Sequence, residues 1–148
     1  MGLLQPDGTT PLLPAAASGA AVAPVPAWIP LGGWSRVDAT LGTTAVGGSP
    51  RALDPASYAR TGLTAAFTLR LVGLVDDVAR TGTVTLVDLT TGLAVATISI
   101  TAATLTAYSA VVTLNAGVHL YELRFACSGT LVSHYAVINN ASLEITWS

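Results

Sequence analysis

Few side chains in this sequence are able to do acid–base, nucleophilic or metal chemistry, and their spacing keeps them apart. His119 and His134 are the only histidines, and Cys127 is the only cysteine. On paired strands the two histidines would face one sheet surface and form a metal pair. Zinc asks for three or four ligands, and Cys127 closes an alternating run that turns it to the apolar face. A structural or surface role is therefore expected for each histidine, with Cys127 a small buried hydrophobe. Asp76 and Asp77 follow Val75 at a strand end, and Asp88 lies one strand away. Clustered carboxylates in sandwich loops are able to hold calcium. The same Asp-Asp pair also suits a turn, because aspartate caps and bends local backbone, and the turn is the preferred reading.

Glycoside hydrolysis needs two placed carboxylates, but Glu122 and Glu144 both fall on outward strand positions. No Gly-x-Ser-x-Gly elbow and no phosphate loop occurs. The expectation is a non-enzymatic protein with no cofactor. Among the aromatics, Tyr121 and Trp147 read as core, while Trp28 and Trp34 flank a segment junction and would anchor it. Trp34 and Tyr58 are the candidates for stacking on a ligand such as a sugar ring. Asn140-Ala141-Ser142 matches a glycosylation sequon and is read as a plain turn.

The elements that would position these residues follow from composition and period. Of 148 residues, 51% are hydrophobic and 9% charged, and no lysine occurs. Ordinary chains carry about 25% charged residues. Charge is depleted at interface cores, so this balance points to a component of an assembly. A formal net charge of −2 and scattered arginines (Arg36, Arg51, Arg60, Arg70, Arg80, Arg124) leave no footprint for nucleic acid. The N-terminus lacks the basic region of a secretory signal, and Pro6 stands where a myristoylation motif wants Ser or Thr. The apolar stretch from Pro11 to Leu31 is interrupted by Pro14, Pro24, Pro26 and Pro30, which a membrane-spanning helix does not tolerate at this density. No membrane partner is expected.

Residues 1–32 read as an extended Pro/Ala-rich arm, because residues before proline are pushed towards extended conformations. The arm carries Leu3, Leu4, Leu12, Leu13, Val22, Val25, Trp28 and Ile29, too apolar for a solvated linker, and is expected to bind a neighbouring subunit; the alternative is a flexible tail whose last residues pack on their own domain. Residues 33–148 form the domain. Short strands are expected at Trp34–Asp38 and Thr40–Thr44, and a turn of helix or a loop over Leu53–Tyr58. From Ala66 onwards the period-2 signal is strong. Phe67, Leu69, Leu71 and Val75 share one face. Thr83–Leu89 and Leu93–Ile100 form a hairpin with Gly92 in the turn. Thr106–Leu114, Val118–Cys127 and Leu131–Ile138 follow. Asn139-Asn140 is expected to turn the chain before a last strand that points Leu143, Ile145 and Trp147 inward. The fold class is all-β, an antiparallel jelly-roll-like β-sandwich of about eight strands with an extended N-terminal arm.

Three segments carry a resemblance: Thr83-Val84-Thr85-Leu86-Val87-Asp88-Leu89-Thr90-Thr91-Gly92, the run from Leu114 through Asn115-Ala116-Gly117 to Leu123, and Asn139 to Ile145. Together they resemble the small jelly-roll sandwiches among virion structural proteins of tailed bacteriophages, a pattern shared with carbohydrate-binding modules. The resemblance implies a capsid decoration, head-fibre or tail-associated role in the virion, a homo-oligomer with a trimer favoured, and a major capsid or other virion protein as partner. The arm is similar to those that tie such proteins to a shell. The alternative is a carbohydrate- or cell-surface-binding module on a fibre or adhesin.

Overall fold

Alternation of apolar and polar residues builds the long strands of this chain, and long-range pairing builds the short ones. The computed structural model describes residues 25–47 and 50–148. In order, the strands are β1 (Ala27–Gly32), β2 (Ser35–Asp38), β3 (Thr44–Ala45), β4 (Arg51–Leu53), β5 (Ala65–Val75), β6 (Gly82–Asp88), β7 (Leu93–Ile100), β8 (Thr106–Val112), β9 (His119–Cys127) and β10 (Tyr135–Trp147). Along β5, Phe67, Leu69, Leu71 and Val75 are buried while Thr68 and Arg70 face outward. Along β9, Tyr121, Leu123, Phe125 and Cys127 are buried and Glu122 and Arg124 face outward. A strand's side-chain period of two turns this pattern into one buried face per sheet.

The strands form two five-stranded antiparallel sheets. In the first sheet the order is β1-β10-β5-β8, with β2 also on β10; in the second it is β3-β9-β6-β7, with β4 also on β9. β1 meets the C-terminal half of β10 and β2 its N-terminal half, so the two occupy one strand position. β3 and β4 share a position beside β9 in the same way. Ten segments thus fill eight positions, with the first beside the last and the second beside the last but one. This is jelly-roll order, and the expected count of about eight matches it. The core between the sheets holds Leu69, Val84, Leu86, Leu123, Ile138 and Leu143, all fully buried.

The structure corrects several sequence expectations. Residues 27–32, read as the end of an arm, are an edge strand. Pro30 sits in β1 opposite Ser142, a position that edge strands tolerate because one side of the backbone needs no donor. Leu31 is buried and Ile29 packs against the core. Trp28 and Ile29 therefore belong to the domain, and Val25 is exposed just before it. The expected contacts of Leu3, Leu4, Leu12, Leu13 and Val22 lie outside the described residues.

Of the expected strand Thr40–Thr44 only Thr44 pairs, at the start of β3; a 3-10 turn covers Ala39–Leu41, pinned by the Ala39 N–H on the His134 carbonyl at 2.8 Å. Leu131–His134 is a turn, and β10 starts only at Tyr135. The expected turn at Asn139-Asn140 is a β-bulge inside one continuous β10, where the register shifts between Ile138 and Asn140. Ala136 and Ile138 are buried before the bulge; Ala141, Leu143 and Ile145 are buried after it. One extra residue flips the phase of the alternation, and in sequence a flipped phase looks like a break. Gly73 lies opposite Ile138 at this bulge, where a Cβ would sit 2.9 Å from the Val137 carbonyl oxygen and 2.7 Å from Ile100 Cδ1. Only glycine lets the bulged strand close there. Gly92, at φ 77°, makes the β6–β7 turn as expected.

Candidate functional site

The residues able to do chemistry are dispersed through the fold. His119 and His134 sit at opposite ends of β9: His119 begins it, and His134 packs on Gly129 just past its end. At about 3.3 Å per residue this is roughly 25 Å, so no histidine pair forms. Asp88 closes β6, wholly buried. Its Oδ1 accepts the Thr90 and Thr91 N–H groups at 2.8 and 3.2 Å. Its Oδ2 accepts Asn115 Nδ2 and His119 Nδ1, both at 2.6 Å. Burial pushes this carboxyl up, but the hydrogen bonds from Asn115, His119, Thr90 and Thr91 outweigh it and hold it well below the usual carboxylate range. Tyr121 extends the cluster, its hydroxyl accepting the Asn115 N–H at 2.9 Å. Both Asp88 oxygens are engaged in tying two turns together, which is a structural task.

The other candidates are likewise engaged. Asp77 Oδ1 accepts the Ala79 N–H as a local cap, and Asp76 Oδ1 accepts the N–H of Tyr135, 59 residues later, tying the end of β5 to the start of β10. Arg80 Nη2 donates to His134 Nε2 at 2.9 Å. Cys127 is buried, and burial raises its thiol pKa. Among the described residues no group of three or more His, Cys, Asp or Glu side chains is placed to hold a metal. Tyr58, a candidate for ligand stacking, is half-buried: its ring meets Phe67 edge-on at 5.8 Å, and its carbonyl accepts Trp147 Nε1 at 2.8 Å. Trp147 is half-buried rather than fully inward, with Arg60 stacked 3.6 Å from its ring.

The remaining aromatic candidates converge on the outer face of the first sheet. Trp28 is 53% exposed and Trp34 is 67% exposed. Register places Trp28 beside Glu144, and Glu144 beside Thr68. The next outward row holds Pro30, Ser142, Arg70 and Ser109. Arg70, opposite Ser142, reaches diagonally to pair with Glu144, as neighbours two residues apart across strands do. Trp28, Arg70 and Thr68 crowd Glu144, so it is only 8% exposed although it points outward. The expected solvated Glu144 is thus a buried partner in an ion pair.

Between these side chains lies a hollow of about 290 Å³ lined by Trp28, Arg70, Ser109, Asn140 and Ser142 among others. A second hollow, about 330 Å³, follows on the same face, lined by Trp34, Leu74, Leu105, Tyr135, Val137 and Asn139. Arg36 lies 4.0 Å over the Tyr135 ring and donates to Asp38, framing this hollow. β1 meets β10 at Glu144 and β2 meets it at Ile138, so strand rise separates the two tryptophans by about 15–20 Å. Each hollow pairs a large exposed ring with hydrogen-bonding groups, an arrangement suited to a ligand with both an apolar face and many hydroxyls. Sequence reasoning found Trp34 but assigned Trp28 to the arm. It passed over Arg70, Ser109 and Ser142, whose only signal was their outward phase on paired strands.

No family model matches the sequence, and no curated protein matches it. Among solved structures, the chain is similar to a carbohydrate-binding module CBM36 in complex with calcium and xylotriose, at 17% identity and TM-score 0.36, covering 77% of this chain and 99% of that one. It is also similar to CsCBM6-3 from Clostridium stercorarium in complex with cellobiose, at 15% identity and TM-score 0.37, covering 77% and 92%. A third likeness is to the infectious bursal disease virus Gx strain structure, at 15% identity and TM-score 0.41, covering 90% of this chain and 36% of that one. At these scores none of them carries an argument about function, and the jelly-roll assignment rests on the strand order of the chain itself.

Proposed function

We propose that this domain is a non-catalytic carbohydrate-binding module whose ligand lies along the outer face of the β1-β10-β5-β8 sheet. The observation that carries the proposal is the placing of two exposed tryptophans, Trp28 and Trp34, at the two hollows of that face. Indole rings offer a flat apolar platform to the C–H face of a pyranose. Arg70, Ser109, Asn140 and Ser142 supply the donors and acceptors that sugar hydroxyls require, with Glu144 holding Arg70 in place. A span of about 15–20 Å between the rings favours an oligosaccharide chain over a single sugar.

The test is a glycan array followed by calorimetry on the best oligosaccharide. Trp28→Ala and Trp34→Ala should each weaken binding by about 2 kcal/mol, the size of an interface hot spot. No bound glycan, or full affinity in both variants, would remove the reading.

A second reading, a structural subunit of a virus particle that uses residues 1–24 to hold a capsid neighbour, is favoured by the apolar character of that segment. The two readings are compatible in a fibre or adhesin. Deleting residues 1–24 should leave the sandwich folded and, under the second reading, abolish incorporation into particles.

A further inference from the structure

The sandwich has two sides where its sheets end, and they differ. On one side lie β1, β2, β3 and β4, of six, four, two and three residues. They carry Pro30, Arg36, Asp38 and Arg51, and β1 also has a register shift after Pro30. Short strands, proline, charge and bulges are the devices that stop an edge from pairing with another chain. On the other side lie β7, of eight residues, and β8, of seven. Among the described residues each pairs with one neighbour only, β7 with β6 and β8 with β5. From Leu89 to Val118, a span that contains both strands, there is no Asp, Glu, Lys or Arg, and no proline. Leu93 is 64% exposed and Val111 79% exposed. Of the protecting devices this side carries one, a register shift opposite Leu86 and Val87 that leaves Val95 as an extra residue on β7; short strands, proline and charge are absent from it.

We infer that the β7–β8 side is an interface between two copies of this chain, with β7 pairing antiparallel to β7 of the second copy about a two-fold axis. The occupant follows from what self-pairing demands. In an isologous contact residues near the axis meet their own counterparts, so any charge there would face its like across the strands. β7 reads Leu-Ala-Val-Ala-Thr-Ile-Ser-Ile and has none. A second copy also offers the same strand edge, whose main-chain N–H and C=O groups complement those of β7. The side measures about 26 Å along β7 and about 20 Å across two sheets and their side chains, roughly 500 Å² of flat area. That is below the ~800 Å² per partner of a standard stable interface, so the dimer should depend on concentration. The pairing is independent of the glycan reading and gives even stoichiometry, in contrast to the trimer that the resemblance implies.

The test is molar mass by light scattering over a concentration series of the full chain. The wild type should rise from 14.9 kDa towards twice that mass. Thr97→Lys with Ser99→Lys, both exposed on β7, should hold the protein at the monomer mass with unchanged circular dichroism. Thr43→Lys with Ala45→Lys, on the opposite side, should dimerise like the wild type. A wild type that stays monomeric, a trimer, or an edge variant that still dimerises would overturn the inference. If the edge variant fails to fold, hydrogen exchange of the wild type decides. Protection of the outward β7 amides that grows with concentration supports the pairing, and concentration-independent exchange rejects it.

Discussion

The outer faces of the two sheets share one architecture and carry different chemistry. The first presents Trp28, Trp34, the Arg70–Glu144 pair and the amide and hydroxyls of Asn140, Ser142 and Ser109 around two hollows. The second presents Thr83, Thr85, Thr97 and Ser99 in paired rows, with one ion pair, Arg124–Glu122. Inward positions on both sheets are equally apolar, since both close the same core. The outward positions are therefore where the sheets diverge. Two large apolar rings left in water on one face, beside a buried carboxylate, are not needed to hold a sandwich together. The threonines of the other face, β-branched and small, suit a pleated surface.

The comparison is broken most directly by removing both rings at once. Trp28→Ala combined with Trp34→Ala should weaken glycan binding roughly thousandfold if the two sites add, measured by calorimetry. Thr85→Ala with Thr97→Ala on the second face should leave the affinity unchanged. Equal losses on both faces would end the distinction.

The next effect concerns stability and belongs to the second sheet. Asp88 has its carboxyl depressed in the folded state, so its stabilisation is complete above the unfolded value of about 3.9 and is lost as pH falls below it. Urea denaturation between pH 7 and pH 2 should show the wild type weakening in acid. Asp88→Asn should be less stable at neutral pH and flatter across the acid range. A wild-type profile no steeper than that of the variant would contradict the role of the network.

Gly73→Ala should cost about 1–3 kcal/mol, the usual range for overpacking, because its Cβ would press on the Val137 carbonyl and Ile100. It should also weaken glycan binding, since the same bulge sets the phase of Asn140, Ser142 and Glu144. Thermal melting and calorimetry on one preparation would check both. The smallest expected difference is between the two ion pairs. Glu144→Gln should cost about 1 kcal/mol of stability, against at most ~0.5 kcal/mol for Glu122→Gln, whose carboxylate is the less buried of the two.

Much of the fold was legible because alternation is local. β5, β6, β7 and β9 announce themselves within their own residues, as do the turn at Gly92 and the burial of Cys127. β1 was not legible: Pro26 and Pro30 obscure its pattern, and it becomes a strand only by pairing with β10, more than a hundred residues later. The bulge in β10 was read as a turn because a phase flip and a chain reversal leave the same local trace. The candidate site was legible in part, as a tryptophan at position 34 with an outward arginine and glutamate elsewhere.

By itself, then, the sequence determined the all-β class and the inward faces, since period and composition express the burial each strand needs. Only the tertiary structure decided that Trp28 belongs to the sheet, that Glu144 is covered by Arg70, and that two tryptophans share one face. Those facts depend on which distant strands pair and in what register, and no local pattern encodes a neighbour across a sheet.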